Sequence, residues 1–248
     1  MRYQLILSFM GTNYSGWQKQ PGSASVQQTL EEAFSMILRQ PIGITGCGRT
    51  DAGVHARTYF AHFDADGLEK DFMKLTYQVN AVLPVDISLW VCKPLHYDFH
   101  ARFDAISRSY KYSIHYQKDP FLYDRSYFIN NPTELNKDKM NEVASLIMQY
   151  EEFLPFCKTG SDNKNYKCQI TESEWQFEEQ HCYYSVTANR FLRGMVRLIV
   201  GACLNAGYGK ISVETIKDCL DKQIPLPLQL SVSPQGLCFL CAEYPPAP

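Results

Sequence analysis

Apolar and polar residues alternate from Tyr3 to Met10 (Tyr-Gln-Leu-Ile-Leu-Ser-Phe-Met), and a period near two predicts a strand over residues 3–10. The period then changes. Val26, Leu30, Ala33, Phe34, Ile37 and Leu38 recur every three or four positions, which predicts a helix over 25–39, and Ser25 with Gln28 has the spacing of a capping box at its start. The same reading gives a strand near 58–63, a helix near 70–81, and strands near 87–93 and 108–116. Asn131-Pro132 interrupts the pattern. Beyond it come a helix near 137–150, a strand pair at 170–178 and 182–189 joined by Glu178-Glu-Gln-His181, helices near 190–206 and 213–222, and a strand over 237–243. Strands and helices mix without strict βαβ alternation, so the expected class is α+β rather than a doubly wound parallel sheet. Two halves are expected, residues 1–116 and 117–248, each a small sheet with two helices on one side.

Composition narrows the picture only slightly. A chain of 248 residues, 45% hydrophobic and 20% charged, holds one large domain or two joined halves with an ordinary core. The opening apolar run is too short and too polar to span a membrane, and no small-residue cleavage site follows it, so a soluble cytoplasmic protein is expected. Nine cysteines, an odd number without a signal peptide, read as reduced thiols. Cys238-Phe-Leu-Cys241 is the only CxxC pair; it lies in an apolar strand pattern, where i and i+3 face opposite sides, and core packing outweighs metal binding there.

A net charge of −2 gives no global basic footprint for a nucleic acid, so any such footprint must be local. Three groups qualify: Arg102, Arg108 and Lys111; Lys158, Lys164 and Lys167; Arg190, Arg193 and Arg197. If a helix begins at Arg190, the last three fall within a ~60° arc opposite Phe191, Leu192, Met195, Val196, Leu198 and Ile199. That face holds no acid. It is either a solvated basic face or a partner for an external anion or an internal carboxylate.

The segment Gly46-Cys-Gly-Arg-Thr-Asp-Ala-Gly-Val-His-Ala56 sets one carboxylate, Asp51, among glycines that let the backbone turn and a large ligand approach. Gly48 to Gly53 has a P-loop's gap, yet Val54-His55 stand where Lys-Ser/Thr must follow, and Thr50-Asp51 break a G-x-G-x-x-G pattern. Neither phosphate-cradling pattern is therefore complete, and the carboxylate itself becomes the group of interest. Asp51 is then either an aspartate closing its own turn or a reactive carboxylate. His55 reads as a structural hydrogen-bonding residue, and Tyr110 and Tyr112 fit cross-strand aromatics as well as site residues.

Several segments resemble the tRNA pseudouridine synthase A family. They are Gly48-Arg-Thr-Asp-Ala-Gly-Val-His-Ala56, Gly11-Thr-Asn-Tyr-Ser-Gly-Trp-Gln18 with Ser25-Val-Gln27, Asn80 with Leu83-Pro-Val-Asp-Ile87, Phe99-His-Ala-Arg-Phe103 leading to Arg108-Ser-Tyr-Lys-Tyr112, Asn189-Arg-Phe-Leu-Arg-Gly-Met-Val-Arg-Leu-Ile-Val-Gly201, and Gly236-Leu237. They follow the family's order over nearly the whole chain. The resemblance implies two ferredoxin-like (RRM-like) halves whose sheets merge into one extended, mainly antiparallel sheet flanked by helices, with the active cleft between them. It implies a cofactor-free and metal-free isomerase, a homodimer, that converts uridine to pseudouridine at positions thirty-eight to forty of the tRNA anticodon arm. Asp51 matches the nucleophile, Tyr110 the tyrosine beside the target base, Arg197 the arginine paired with the aspartate, and Arg49 the residue linked to base flipping. RNA contacts are implied for Phe99, His100, Ala101, Arg102, Phe103, Lys164, Lys167, Arg190 and Arg193.

The chemistry asks for such groups in its own right. Uracil must leave C1′, rotate and return through C5, and a carboxylate can attack either the ring or the sugar carbon. A nearby guanidinium favours its ionised form and a dry pocket opposes it. The target base must be pulled from its stack, at about a few kcal/mol. Two departures stand out: Met10 where the family usually carries an aspartate, and Lys167-Cys168 where it commonly carries an arginine that touches tRNA. Two other classes stay open. One is an RNA-binding module without catalysis; the other is a carboxylate-dependent nucleosidase or glycosidase, which needs a second acid that the sequence does not advertise.

Overall fold

The computed structural model describes residues 1–246 apart from 67, 69, 70, 96, 97, 159, 161–164, 229 and 230. The chain runs β1 (Arg2–Phe9), α1 (Val26–Leu38), β2 (Ile44–Gly46), β3 (His55–Asp64), α2 (Phe72–Val82) and β4 (Ile87–Leu95). It continues through β5 (Ser107–His115), β6 (Tyr127–Phe128), α3 (Lys137–Ile147), β7 (Ile170–Phe177), β8 (His181–Ala188), α4 (Met195–Gly207), α5 (Val213–Lys222) and β9 (Leu237–Glu243). These mixed elements form two compact units, Met1–Ile106 with Cys238–Pro248, and Ser107–Leu237.

In the first unit β1 is central. Leu5 faces Ala61 of β3 on one side and Cys92 of β4 on the other, both antiparallel. β2 adds to β3 antiparallel, and β9 adds to it in parallel at His55–Cys238 and Ala56–Phe239. The alternation read in β1 sends Tyr3, Leu5, Leu7 and Phe9 into the core, where Phe63, Phe34 and Tyr59 also lie. α1 starts as its cap residue dictates: Ser25 Oγ accepts the Gln28 N–H at 3.2 Å. The capping box is only half made, because the Gln28 side chain donates to Glu32 one turn on instead of reaching back. α1 buries Val26, Leu30, Ala33 and Phe34. Asn80 pins α2 to β4 by exchanging two hydrogen bonds with the Leu89 backbone (2.7 and 2.8 Å).

In the second unit β5 pairs with β8 in unbroken antiparallel register from Arg108–Ala188 to His115–His181. β7 flanks β8 with a register shift near Ile170–Glu172, and β6 adds to β5. The expected boundary at residue 116 is therefore corrected: β5 is committed by its ladder to β8, and the final strand returns to the first unit.

A second correction concerns the helix expected from Arg190. α4 begins at Met195, after Gly194 in a left-handed conformation (φ +70°) that no continuous helix accommodates. Residues 190–193 are non-helical, and the Arg193 carbonyl accepts the Lys158 N–H at 3.0 Å. The three-arginine arc does not form. α4 is buried almost all round, and only Arg197 of the three lies on it. No helix among the described residues is long and apolar enough to cross a membrane.

Candidate active site

The Asp51 turn belongs to the first unit and lies between β2 and β3. Its entry is tied down by buried Cys47, whose N–H donates to Phe60 O at 2.8 Å, and by Tyr59, whose hydroxyl donates to Gly48 O. Tyr59 is in turn held by Trp17, with ring centroids 4.2 Å apart. Its exit is tied down by His55, a buried residue whose Nδ1 accepts the Gly11 N–H at 3.0 Å; the structural reading of His55 stands. The turn itself closes through the Asp51 carbonyl, which accepts the Val54 N–H at 3.2 Å.

A second loop, residues 10–17, lines this turn backbone to backbone. Gly53 N–H donates to Tyr14 O at 3.2 Å and Trp17 N–H to Thr50 O at 3.3 Å, so bonds to one partner loop flank Asp51 on both sides. The approach requires Gly16. Its φ is +91°, and a Cβ there would stand 2.2 Å from Thr50 O. Asp51 is half-buried and Arg49 exposed. Thr50 Oγ1 is buried with no hydrogen-bond partner among the described residues, a cost of about 1–3 kcal/mol accepted in this turn.

The stretch 99–103 also belongs to the first unit, and its five residues play different parts. Phe99 and Ala101 are buried (2% and 0% exposed), so their side chains hold the segment instead of facing a ligand. Both Ala101 backbone groups are engaged: its N–H donates to His62 Nδ1 (3.1 Å) and its carbonyl accepts the Tyr244 hydroxyl (2.7 Å). His100 Nδ1 accepts the N–H groups of Arg102 and Phe103 at 3.2 Å each, and its ring lies 4.2 Å from that of Phe103. Arg102 and Phe103 are exposed, with the guanidinium 5.6 Å from the Phe103 ring centre.

Burial, then Arg2 and His100, push the His62 pKa down from 6.5 to about 4, so the ring is a neutral acceptor at neutral pH. The unfolded chain takes up that proton near pH 6.5 and the folded chain only near 4. The stabilisation is therefore complete above pH 6.5 and is lost as pH falls toward 4, at most on the order of 3 kcal/mol. Urea unfolding at pH 7 and pH 4.5 should show a smaller acid loss in His62→Gln than in the parent. Equal losses would remove His62 as the cause.

The second unit carries the remaining expected residues. Tyr110 on β5 is nearly buried, and Phe191 meets its ring edge-on at 5.2 Å. Tyr112, two positions on, is fully buried; its hydroxyl donates to Ser233 O at 2.8 Å, and burial raises its pKa although Arg197 pulls it down. Tyr112 is the cross-strand aromatic the pattern allowed. Arg197 Nε donates to Val232 O at 2.8 Å. Phe191 thus places the 190–193 segment against Tyr110, and the Ser233 and Val232 carbonyls join Tyr112 and Arg197 to one loop.

Arg193 is exposed, while half-buried Arg190 donates to Asn165 Oδ1 at 3.2 Å. Lys167 is exposed, 3.9 Å from Glu152; Lys164 lies outside the described residues. Arg108 donates to Asn189 O, and Lys111 sits 3.4 Å above the Tyr183 ring. Cys238 and Cys241 are half-buried on β9, and among the described residues no group of three or more His, Cys, Asp or Glu is placed to hold a metal ion. Sequence reasoning missed Tyr14 and Asp86 within the motifs it quoted, and His62 and Tyr244 outside them. Their partners are 39 to 143 residues away, and no local pattern announces such pairs.

Comparison with known proteins defines first a class. A sequence profile described as tRNA pseudouridine synthase matches residues 151–245, the part that holds β7, β8, α4, α5 and β9. Whole-chain relatives go further. A tRNA pseudouridine synthase A of Porphyromonas gingivalis is 44% identical over 90% of this chain and 88% of its own length. Proteins of the same description from Azobacteroides pseudotrichonymphae (39%) and Bacteroides fragilis (40%) are matched over 98% of this chain, and over 97% and 96% of theirs. The chain belongs to the tRNA pseudouridine synthase A family, a family of isomerases.

Proposed function

We propose that the protein isomerises uridine to pseudouridine at positions thirty-eight to forty of the tRNA anticodon arm, with Asp51 as nucleophile. The observation that carries this reading is the Asp51 turn: a carboxylate-bearing residue held by main-chain bonds on both sides, between glycines. In the reaction the C1′–N1 bond breaks, the uracil turns, a C1′–C5 bond forms, and the C5 proton is lost while N1 gains one. Asp51 bonds in between either to C1′, as the C1′–N1 bond breaks, or to the uracil ring, and that bond breaks again before the product leaves with the carboxylate restored. Tyr110 lies beside the target base with a phenol oxygen for the C5 proton, Arg197 pairs with the carboxylate, and exposed Arg49 fills the space the flipped base leaves.

His100, Arg102, Phe103, Lys167, Arg190 and Arg193 supply the RNA contacts; buried Phe99 and Ala101 support them from behind. The two units are ferredoxin-like halves of one mainly antiparallel sheet. The first unit's β-α-β-β-α-β path with strand order β4-β1-β3-β2 supports this, as does the β5-α3-β7-β8-α4 path of the second. The enzyme acts in the cytoplasm as a homodimer and without a cofactor.

Transfer RNA carrying tritium at uridine C5 tests the reading. Release of tritium without free uracil is expected. Free uracil would mean a nucleosidase, and tight binding with no release would mean a binding module. For the basic residues, Arg190→Ala and Arg193→Ala should each weaken tRNA binding and reduce the slope of log affinity against log salt by about one. An unchanged slope returns that arginine to a solvated face.

A further inference from the structure

We propose that Tyr14 and Asp86 are positioning residues for catalysis: Tyr14 is a strut that ties the Asp51 turn to the start of β4. The inference rests on Asp51 being the nucleophile. Tyr14 is bonded at both ends. Its hydroxyl donates to Asp86 Oδ1 at 2.6 Å, and its carbonyl accepts the N–H of Gly53, two residues beyond Asp51, at 3.2 Å.

Asp86 directly precedes β4 and is committed to the same loop through three atoms. Oδ1 accepts from Tyr14, Oδ2 accepts the Asn13 side-chain amide at 2.9 Å, and its carbonyl accepts the Met10 N–H at 2.8 Å. Met10 enters the strut through its backbone N–H, which the departure from the family pattern at its side chain does not remove. Tyr14 is 8% exposed, and burial with the Asp86 carboxylate raises the phenol pKa, which keeps the proton on the donor. A phenol donating to a carboxylate is among the stronger hydrogen bonds. Without it the main chain at residue 14 keeps its bond to Gly53 but loses the anchor that fixes where that bond points. Neither Tyr14 nor Asp86 touches the reacting atoms; they act through the backbone that carries Asp51, where a misplacement of about 1 Å costs on the order of a hundredfold in rate.

The test is single-turnover tritium release from C5-labelled tRNA by the full-length enzyme, with tRNA binding and thermal unfolding measured on the same samples. Tyr14→Phe removes only the phenol oxygen. Its rate constant per folded enzyme should fall ten- to a hundredfold while tRNA Kd stays within threefold. Asp86→Ala should show a similar loss, the double variant should be no worse than Asp86→Ala alone, and Asp86→Asn, which keeps an acceptor oxygen, should recover part of the rate. A Tyr14→Phe rate within twofold of the parent overturns the strut, as does a loss that only follows the folded fraction or additive losses in the double variant. If Asp51→Ala still turns over, the nucleophile assignment fails instead, whatever Tyr14 does, so the two failures are distinguishable.

Discussion

Asp51→Ala is expected to abolish turnover, by roughly ten-thousandfold or more, while tRNA Kd stays within about tenfold, or 1.4 kcal/mol. The two numbers separate because main-chain bonds that do not involve the carboxylate hold the turn on both sides of it. The bonds from Val54 N–H to Asp51 O, from Gly53 N–H to Tyr14 O and from Trp17 N–H to Thr50 O are all main chain. An alanine keeps every one of them. Pre-steady-state turnover and filter binding on the same preparation check the expectation. Joint loss of binding and of cooperative unfolding would make Asp51 structural, and retained turnover would end its role as nucleophile.

Gly16→Ala should be among the most damaging changes that leave all polar site groups in place. A methyl at residue 16 would lie 2.2 Å from Thr50 O and 3.1 Å from the Asp51 carbonyl carbon, both backbone atoms that cannot swing aside. Its φ of +91° adds strain for any L side chain. Either the two loops part or the backbone of Asp51 shifts. We expect a stability loss on the order of 3 kcal/mol and a turnover loss of at least about a hundredfold. Gly22→Ala is the matched control. It also has positive φ (+75°), but nothing lies within 4 Å of its added Cβ, so it should cost about 1 kcal/mol and leave turnover unchanged. If the two variants behave alike, backbone strain and not the collision is responsible.

What could be read from the sequence follows the range of the interaction. α1 and α5 were legible because an apolar stripe repeats over several turns; both also start at a serine whose hydroxyl accepts a backbone N–H. β2 and β6, three and two residues long, fall below any periodic signal. The start of α4 was misread because counting 100° per residue from Arg190 cannot detect that Gly194 turns left-handed, nor that Lys158 binds the chain before it. The boundary at 116 failed for a related reason: β5 finds its partner strand some seventy residues downstream.

At the site, Asp51 stood out through its glycines. The roles within Phe99–Phe103 did not separate until burial divided Phe99 and Ala101 from Arg102 and Phe103. Tyr14 and Asp86 were visible as members of quoted motifs and invisible as a pair, 72 residues apart.

The return of the final strand to the first unit has a bearing on biosynthesis. Residues 107–237 are contiguous, whereas the first unit is complete only once residues from Cys238 onward have been made. Until then β3 lacks its partner at His55 and Ala56, and the Ala101 carbonyl lacks the Tyr244 hydroxyl. A nascent chain therefore cannot close its N-terminal lobe before its final strand is made, and a chain that terminates near residue 237 carries every catalytic candidate yet lacks the segment that completes the lobe bearing Asp51.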